Sequence, residues 1–276
     1  MLGLFALLQM SSCKSKEENL AAQLETLDSL QYQIKVLDFK DQQFSSDPAI
    51  QSRYSFSYFE FSEDLPKGTK DSLLSLMATF LAASEKQIHV MPDFKKIAED
   101  MFKEFAASTG EYSPFAGWEI SRSIRPAGKK GILQSIECSE MSFMGGAHPS
   151  SVWYYKVIDL SNGKTVLLSD LIAADKMEAF NQLRFKVFED NWNSRGEGLN
   201  WKDYYFPESF VKDGPFYTND NFYVSTKGLT LFYNQYEIAP YASGVTELTI
   251  SWDVLEPYLD KEGNYYKYLV GGRGLN

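Results

Sequence analysis

Apolar residues recur at every second position near the start of the chain. Tyr32, Ile34 and Val36 share one face of a segment over 31–39, and Tyr54, Phe56 and Tyr58 repeat the pattern with serines between them. A period of two is that of a strand. The period then changes to that of a helix. Leu73, Leu74, Met77, Phe80 and Leu81 recur at helical spacing, as do Phe94, Ile97, Ala98, Met101, Phe102 and Phe105. Pro92 is expected in the first turn of the second helix and Gly110 at its end. Both stripes read as core.

From about 117 to 168 the pattern is that of a strand meander. Its marker is Asp159-Leu160-Ser161-Asn162-Gly163-Lys164, with Asn-Gly between the apolar runs 152–158 and 165–168. That dipeptide predicts a type I′ hairpin with positive φ at both central residues. A third helix is expected near Asp175, which forms a capping-box pattern with Glu178. Its apolar face is Met177, Phe180, Leu183, Val187 and Phe188, and an aromatic loop follows at Trp201, Tyr204, Tyr205 and Phe206. The segments 222–225 and 229–233 flank Lys227-Gly228 as a hairpin. Leu248, Ile250 and Trp252 then alternate along a last strand, and Leu255 and Tyr258 predict a short helix. The expected class is α+β: antiparallel sheets with packed helices, in two tandem α+β subdomains.

Composition supports a packed core: 44% of the 276 residues are hydrophobic, and the 15% that are aromatic favour strands. The formal net charge of −10 argues against nucleic acid, which requires a basic stripe. Lys129 and Lys130, flanked by glycines, are too short a cluster and read as a turn. No apolar run is long enough for a membrane-spanning helix. The acidic surface favours cationic partners.

The first thirteen residues read as an export signal. Leu2 to Leu8 are apolar, Ser11 and Ser12 precede Cys13, and the sequence then turns polar at Lys14-Ser15-Lys16-Glu17-Glu18. This resembles a bacterial lipoprotein signal peptide, which implies lipidation of Cys13 and a membrane contact through that anchor alone. Lys16-Glu17-Glu18 also resembles the signal that sends some such proteins to the outer membrane or cell surface. The expected divisions are a signal peptide (1–12), a lipidated tether (13–26), an N-terminal α+β domain (27–145) and a C-terminal one (146–276).

A further resemblance rests on motifs in order: Gly145-Gly146-Ala147-His148-Pro149, Asn162-Gly163-Lys164, Leu168-Ser169-Asp170-Leu171, Tyr236-Glu237-Ile238-Ala239-Pro240-Tyr241, and Leu248-Thr249-Ile250-Ser251-Trp252. Together they resemble the bacterial extracytoplasmic domain of unknown function numbered 3298, over about 145–260. The N-terminal half resembles the domain of unknown function numbered 4163. The resemblance implies an α+β fold and no established activity. The pair occurs in the ectodomain of the sigma-V anti-sigma factor, a lysozyme receptor, so a cationic protein such as lysozyme, or a peptidoglycan component, is the implied partner.

The candidate motif, binding or structural, is Gly145, Gly146, His148, Tyr236, Glu237 and Tyr241, and its residues read as structural first. The glycines suit a backbone geometry other residues resist. A buried or half-buried Glu237 would need a donor; His148 could supply one, although nothing in the sequence places the two together.

Other chemistry is not apparent. His89 and His148 are the only histidines, without metal spacing, and there is no G-x-S-x-G elbow or phosphate loop. Cys138, in an alternating stretch, reads as a buried structural thiol. No catalytic residue, metal or cofactor is assigned. Two alternatives stay open. The 37 acidic residues leave room for a glycan- or peptidoglycan-active hydrolase with two carboxylates. Trp201, Tyr204 and Tyr205 either stack on sugars or cover a core edge. The main expectation is a cell-envelope binding or sensing module.

Overall fold

The computed structural model describes residues 31–41, 51–61, 65–109, 117–194, 200–205 and 219–270. Cys13, Gly110 and Phe206 lie outside them. The fold is α+β, with two antiparallel-rich sheets. The first sheet holds β1 (Tyr32–Lys40), β2 (Arg53–Phe61), β3 (Glu119–Lys130), β4 (Leu133–Phe143), β5 (Ser150–Asp159) and β6 (Thr165–Val166), in that spatial order. Helices α1 (Lys67–Leu81) and α2 (Phe94–Thr109) fall between β2 and β3. They carry the chain back so that β2 and β3 run parallel, with Tyr54 beside Ile120 and Phe56 beside Arg122. The sequence pattern foresaw only antiparallel pairing. A long crossover is what a parallel pair requires.

The sheet buries one face against the helices. Tyr54 and Phe56 are buried there, and the Phe94 ring of α2 sits 4.7 Å from Phe56 and 5.8 Å from Tyr58. α2 starts after Pro92, and Asp93 Oδ1 accepts from the Lys96 N–H, so the aspartate caps the helix. On the opposite face a row of serines, Ser57, Ser123 and Ser139, stands in register across β2, β3 and β4 and ends at Trp153 of β5. β4 and β5 pair from Leu133–Asp159 to Ser142–Ser150, so the first sheet continues across position 145/146. Cys138 is buried within β4, and burial pushes its thiol up to about 12. A thiol that basic carries almost no thiolate near neutral pH.

The second sheet is β7 (Phe222–Val224), β8 (Gly228–Tyr233) and β9 (Thr246–Ser251). Its inner face (Val224, Leu229, Leu231, Leu248, Ile250) is buried in the same apolar cluster as Ile124, Ile136 and Val157 of the first sheet. Buried Ser135 of β4 ties the sheets together: its hydroxyl accepts from Val224 N–H and donates to Val224 C=O. α3 (Met177–Asn193) packs on β9 through Phe180 and Phe188, with Arg184 buried beside them and bonded to the Tyr233 hydroxyl at 2.9 Å. Burial lowers that guanidinium's pKa. The capping box expected at Asp175 and Glu178 is not formed. A 3-10 turn over Ala174–Lys176 feeds α3 without a side-chain cap, and Asp175 pairs with Lys176 instead. Trp252, expected in the last strand, begins α4 (Trp252–Leu255), and α5 (Tyr266–Val270) ends the described chain.

The Asn162-Gly163 hairpin exists between β5 and β6 but is not a type I′ turn. Gly163 has φ of +80°, and Asn162 is not among the positive-φ residues. The loop is longer, closed by Gly163 N–H to Asp159 C=O and by Asp159 N–H to Lys164 C=O. Asp159 organises it, accepting from Ser161 N–H, Ser161 Oγ, Asn162 Nδ2 and the Tyr265 hydroxyl. No helix among the described residues is long and apolar enough to cross a membrane.

Candidate functional site

Past β6, no strand among the described residues pairs with the outer edge of β5, and asparagine side chains take that place. Tyr155 N–H donates to Asn221 Oδ1 at 2.8 Å, and Asn221 Nδ2 donates to Trp153 C=O at 2.9 Å. Trp153 N–H donates to Asn234 Oδ1 at 2.7 Å, and Asn234 Nδ2 donates to the same Trp153 carbonyl at 3.0 Å. A carboxamide carries the donor and acceptor of a peptide group, so it completes a ladder as a strand would. Asn221 directly precedes β7 and Asn234 directly follows β8, so the second sheet delivers both.

Glu237 holds this arrangement. Its carboxylate accepts from Asn219 Nδ2 and from Asn234 N–H, each at 2.7 Å. Asn219 Nδ2 also donates to Phe232 C=O. His148, which could have supplied a donor, lies elsewhere, against Pro149, Tyr236 and Tyr241. The carboxylate faces the asparagine floor, whereas His148 faces the tyrosines.

Gly145 and Gly146 have φ of +90° and +108°, with open space where a side chain would stand. Backbone conformation, not crowding, is what calls for glycine. Their loop returns His148 onto the 236–241 segment. The His148 ring stacks on Tyr241 at 3.8 Å between centroids, and its Nε2 lies 3.2 Å from the Tyr236 hydroxyl. Nδ1 lies 3.0 Å from the Pro149 carbonyl, which only accepts, so Nδ1 carries the proton. In the neutral ring Nε2 therefore accepts from Tyr236. Tyr236 itself has φ of +63°, an uncommon conformation for a bulky residue, and its side chain is 56% exposed. Three of the six motif residues, His148, Tyr236 and Tyr241, thus meet at one spot, and Glu237 follows Tyr236 in the chain.

Beside them an open groove of about 530 Å³ runs along the β5 edge. The asparagines floor it, and Val152, Tyr154, Lys156, Asp220 and Tyr236 stand around it. Tyr154 is 52% exposed. The groove offers two aromatic rings, a cation, an anion and amides, which is binding chemistry. Outside the groove, Glu137 is held on both oxygens. Arg125 forks onto Glu137 at 2.9 and 3.1 Å, and the Tyr155 hydroxyl adds a third bond to Glu137. Burial, with Glu137 and Glu247 nearby, raises the pKa of Tyr155. Among the described residues no group of three or more His, Cys, Asp or Glu side chains is placed to hold a metal ion. His89 is exposed between α1 and α2.

The aromatic loop covers a core edge. Trp201 meets Phe185 and Phe188 edge-on at 5.4 and 5.6 Å, and Tyr205 is buried against Phe188 at 4.9 Å. The sequence reading missed Asn219, Asn221 and Asn234. Polar residues at the ends of apolar runs ordinarily signal turns, and their spacing to β5 exceeds sixty residues.

These features define an α+β protein with a polar–aromatic groove at the junction of two sheets. Residues 161–253 match the family described as "Protein of unknown function (DUF3298)". That span includes Tyr236, Glu237 and Tyr241 and stops short of His148. Two solved structures share the fold. One, a member of the same family from Bacteroides fragilis NCTC 9343, aligns with a TM-score of 0.69 and 18% identity, over 89% of this chain and 99% of that one. The other, a family protein from Pseudomonas aeruginosa PAO1, aligns with a TM-score of 0.64 and 19% identity, over 86% and 97%. At such identities the likeness is one of fold. No curated protein matches the chain.

Proposed function

We propose that this protein is a lipid-anchored cell-envelope module that binds a cell-wall component and does not cleave it. The observation that carries the reading is the groove with Tyr154 and Tyr236 exposed beside an asparagine floor. Tyrosine faces cover the apolar faces of sugar rings, while hydroxyls and amides bond their polar rims. Lys156 and Asp220 suit the carboxylate and amine groups of a peptide stem. Peptidoglycan carries both. Placement in the envelope rests on the apolar run ending at Ser11-Ser12-Cys13. Residues 27–145, which resemble domain 4163, supply most of the first sheet.

Co-sedimentation of the full chain with insoluble peptidoglycan, with released reducing ends measured in the same tubes, tests this. The chain pellets and releases nothing. A chain left in the supernatant contradicts binding, and release of sugar ends supports the two-carboxylate hydrolase instead. A second reading, favoured by the net charge of −10, is a cationic protein partner such as lysozyme. It predicts binding that weakens as salt shortens the Debye length from ~10 Å at 0.1 M to ~3 Å at 1 M. The anchor has its own test: Cys13→Ala moves the protein from the membrane to the soluble fraction, and a variant that stays with the membrane refutes lipidation at that residue.

A further inference from the structure

Tyr236 stands in the groove wall, and its hydroxyl is bonded to His148, which lies outside the groove. A tyrosine hydroxyl both donates and accepts, so its partner decides what it offers a ligand. Here the partner's direction is fixed from the far side of the imidazole. The Pro149 carbonyl lies 3.0 Å from Nδ1 and only accepts, so Nδ1 keeps its proton and Nε2 of the neutral ring is a bare acceptor. The Tyr236 proton is then spent on Nε2 at 3.2 Å, and the hydroxyl presents lone pairs alone to the groove. A protonated imidazole donates from both nitrogens. The Pro149 contact survives that change, the bond to Tyr236 reverses, and the phenolic proton is released. The ionisable groups that face the ring are two phenols, Tyr241 stacked on it at 3.8 Å and Tyr236 at 6.2 Å. Among the described residues no carboxylate or ammonium is bonded to it. Glu237 is turned to Asn219 and Asn234, and the charged Lys156 and Asp220 belong to the groove lining.

We propose that His148 is a positioning residue that sets the hydrogen-bond polarity of Tyr236: with a neutral imidazole the groove accepts an amide N–H of its ligand at that hydroxyl, and protonation of His148 removes the preference. This rests on the groove being the binding site. The ligand group is an amide N–H because that group cannot reverse its role, whereas a sugar hydroxyl turns to suit either state. Imidazole is the side chain whose charge ordinarily changes between about pH 5 and 8, so binding weakens on acidification across that range.

Imidazole nitrogen NMR of the full chain tests the first half without ligand. The chain has two histidines, and His148→Gln assigns them. At about pH 8 wild type shows His148 protonated at Nδ1 with Nε2 bare, and Tyr236→Phe shifts the His148 Nε2 resonance while His89 stays unmoved. A proton on Nε2 of neutral His148 overturns the proposal. Calorimetry with soluble disaccharide–peptide fragments tests the second half. Wild-type affinity falls roughly fivefold from about pH 8 to about pH 5, the worth of one ordinary hydrogen bond. The fall disappears in His148→Phe, which keeps a ring to stack on Tyr241, and in Tyr236→Phe. A purely structural role for His148 lowers affinity equally at both pH values, and that result, or a fall retained in either variant, overturns the proposal. The disaccharide alone shows the same fall if the N–H is that of an acetamido group and none if it belongs to the peptide. Absence of binding at both pH values contradicts the groove reading itself, and this role of the bond with it, whatever the spectra show.

Discussion

Gly163→Val unfolds the protein at a markedly lower temperature than wild type. Two causes add. Gly163 has φ of +80°, and a valine held there is strained by about 1–3 kcal/mol. A Cβ at this position would also stand 2.6 Å from the Gly68 carbonyl oxygen and 2.8 Å from the Thr69 Cα, both backbone atoms at the start of α1. Neither can swing away as a side-chain tip would. Overpacking of this kind costs about 1–3 kcal/mol more. The loop cannot retreat easily, because Asp159 anchors it through four bonds and the Thr69 hydroxyl donates to Leu160 C=O. A loss of about 3 kcal/mol or more lowers the melting temperature by roughly 6–12 °C. Gly145→Ala is the control, since it has positive φ but open space, and it costs about 1 kcal/mol. Equal effects of the two changes would mean that the contact with α1 contributes nothing.

The second large effect is at the asparagine clamp. Asn234→Leu removes the acceptor for Trp153 N–H and one of two donors to Trp153 C=O. An orphaned donor costs about 1–3 kcal/mol when buried, and this part-buried one sits toward the low end of that range. Asn221→Leu orphans Tyr155 N–H in the same way. The two share the Trp153 carbonyl, which either amide satisfies by itself. The double variant therefore loses more than the sum of the singles, a coupling read from urea unfolding midpoints. Additive losses would show that the shared carbonyl has other partners.

Local patterns made much of the fold legible. Alternation in β2 marked Tyr54 and Phe56, and both are buried. Helical spacing marked Leu73, Leu81, Ala98 and Phe102, and these face the sheet. The ordered motifs marked His148, Tyr236 and Tyr241, which do stack together. Alternation does not say which face is covered: Tyr32, Ile34 and Val36 share one face as expected, and that face is exposed. The parallel pairing of β2 with β3 depends on where two helices return the chain, which no local period records. The Asn162-Gly163 turn was misassigned in type because the loop geometry answers to Asp159 and to α1, not to the dipeptide. Glu237 was rightly seen to need a donor, but its donors are amides that only the docked second sheet supplies.

A wall fragment is proposed to bind in the groove at Tyr154 and Tyr236. Calorimetric titration of the full chain with soluble, uncross-linked disaccharide–peptide fragments tests it most directly, run beside Tyr154→Ala and Tyr236→Ala. Wild type saturates, and each variant weakens binding about tenfold, or about 1.4 kcal/mol, while its melting temperature stays within about a degree or two of wild type. Absence of saturable binding by wild type, or binding unchanged in both variants, would contradict the account.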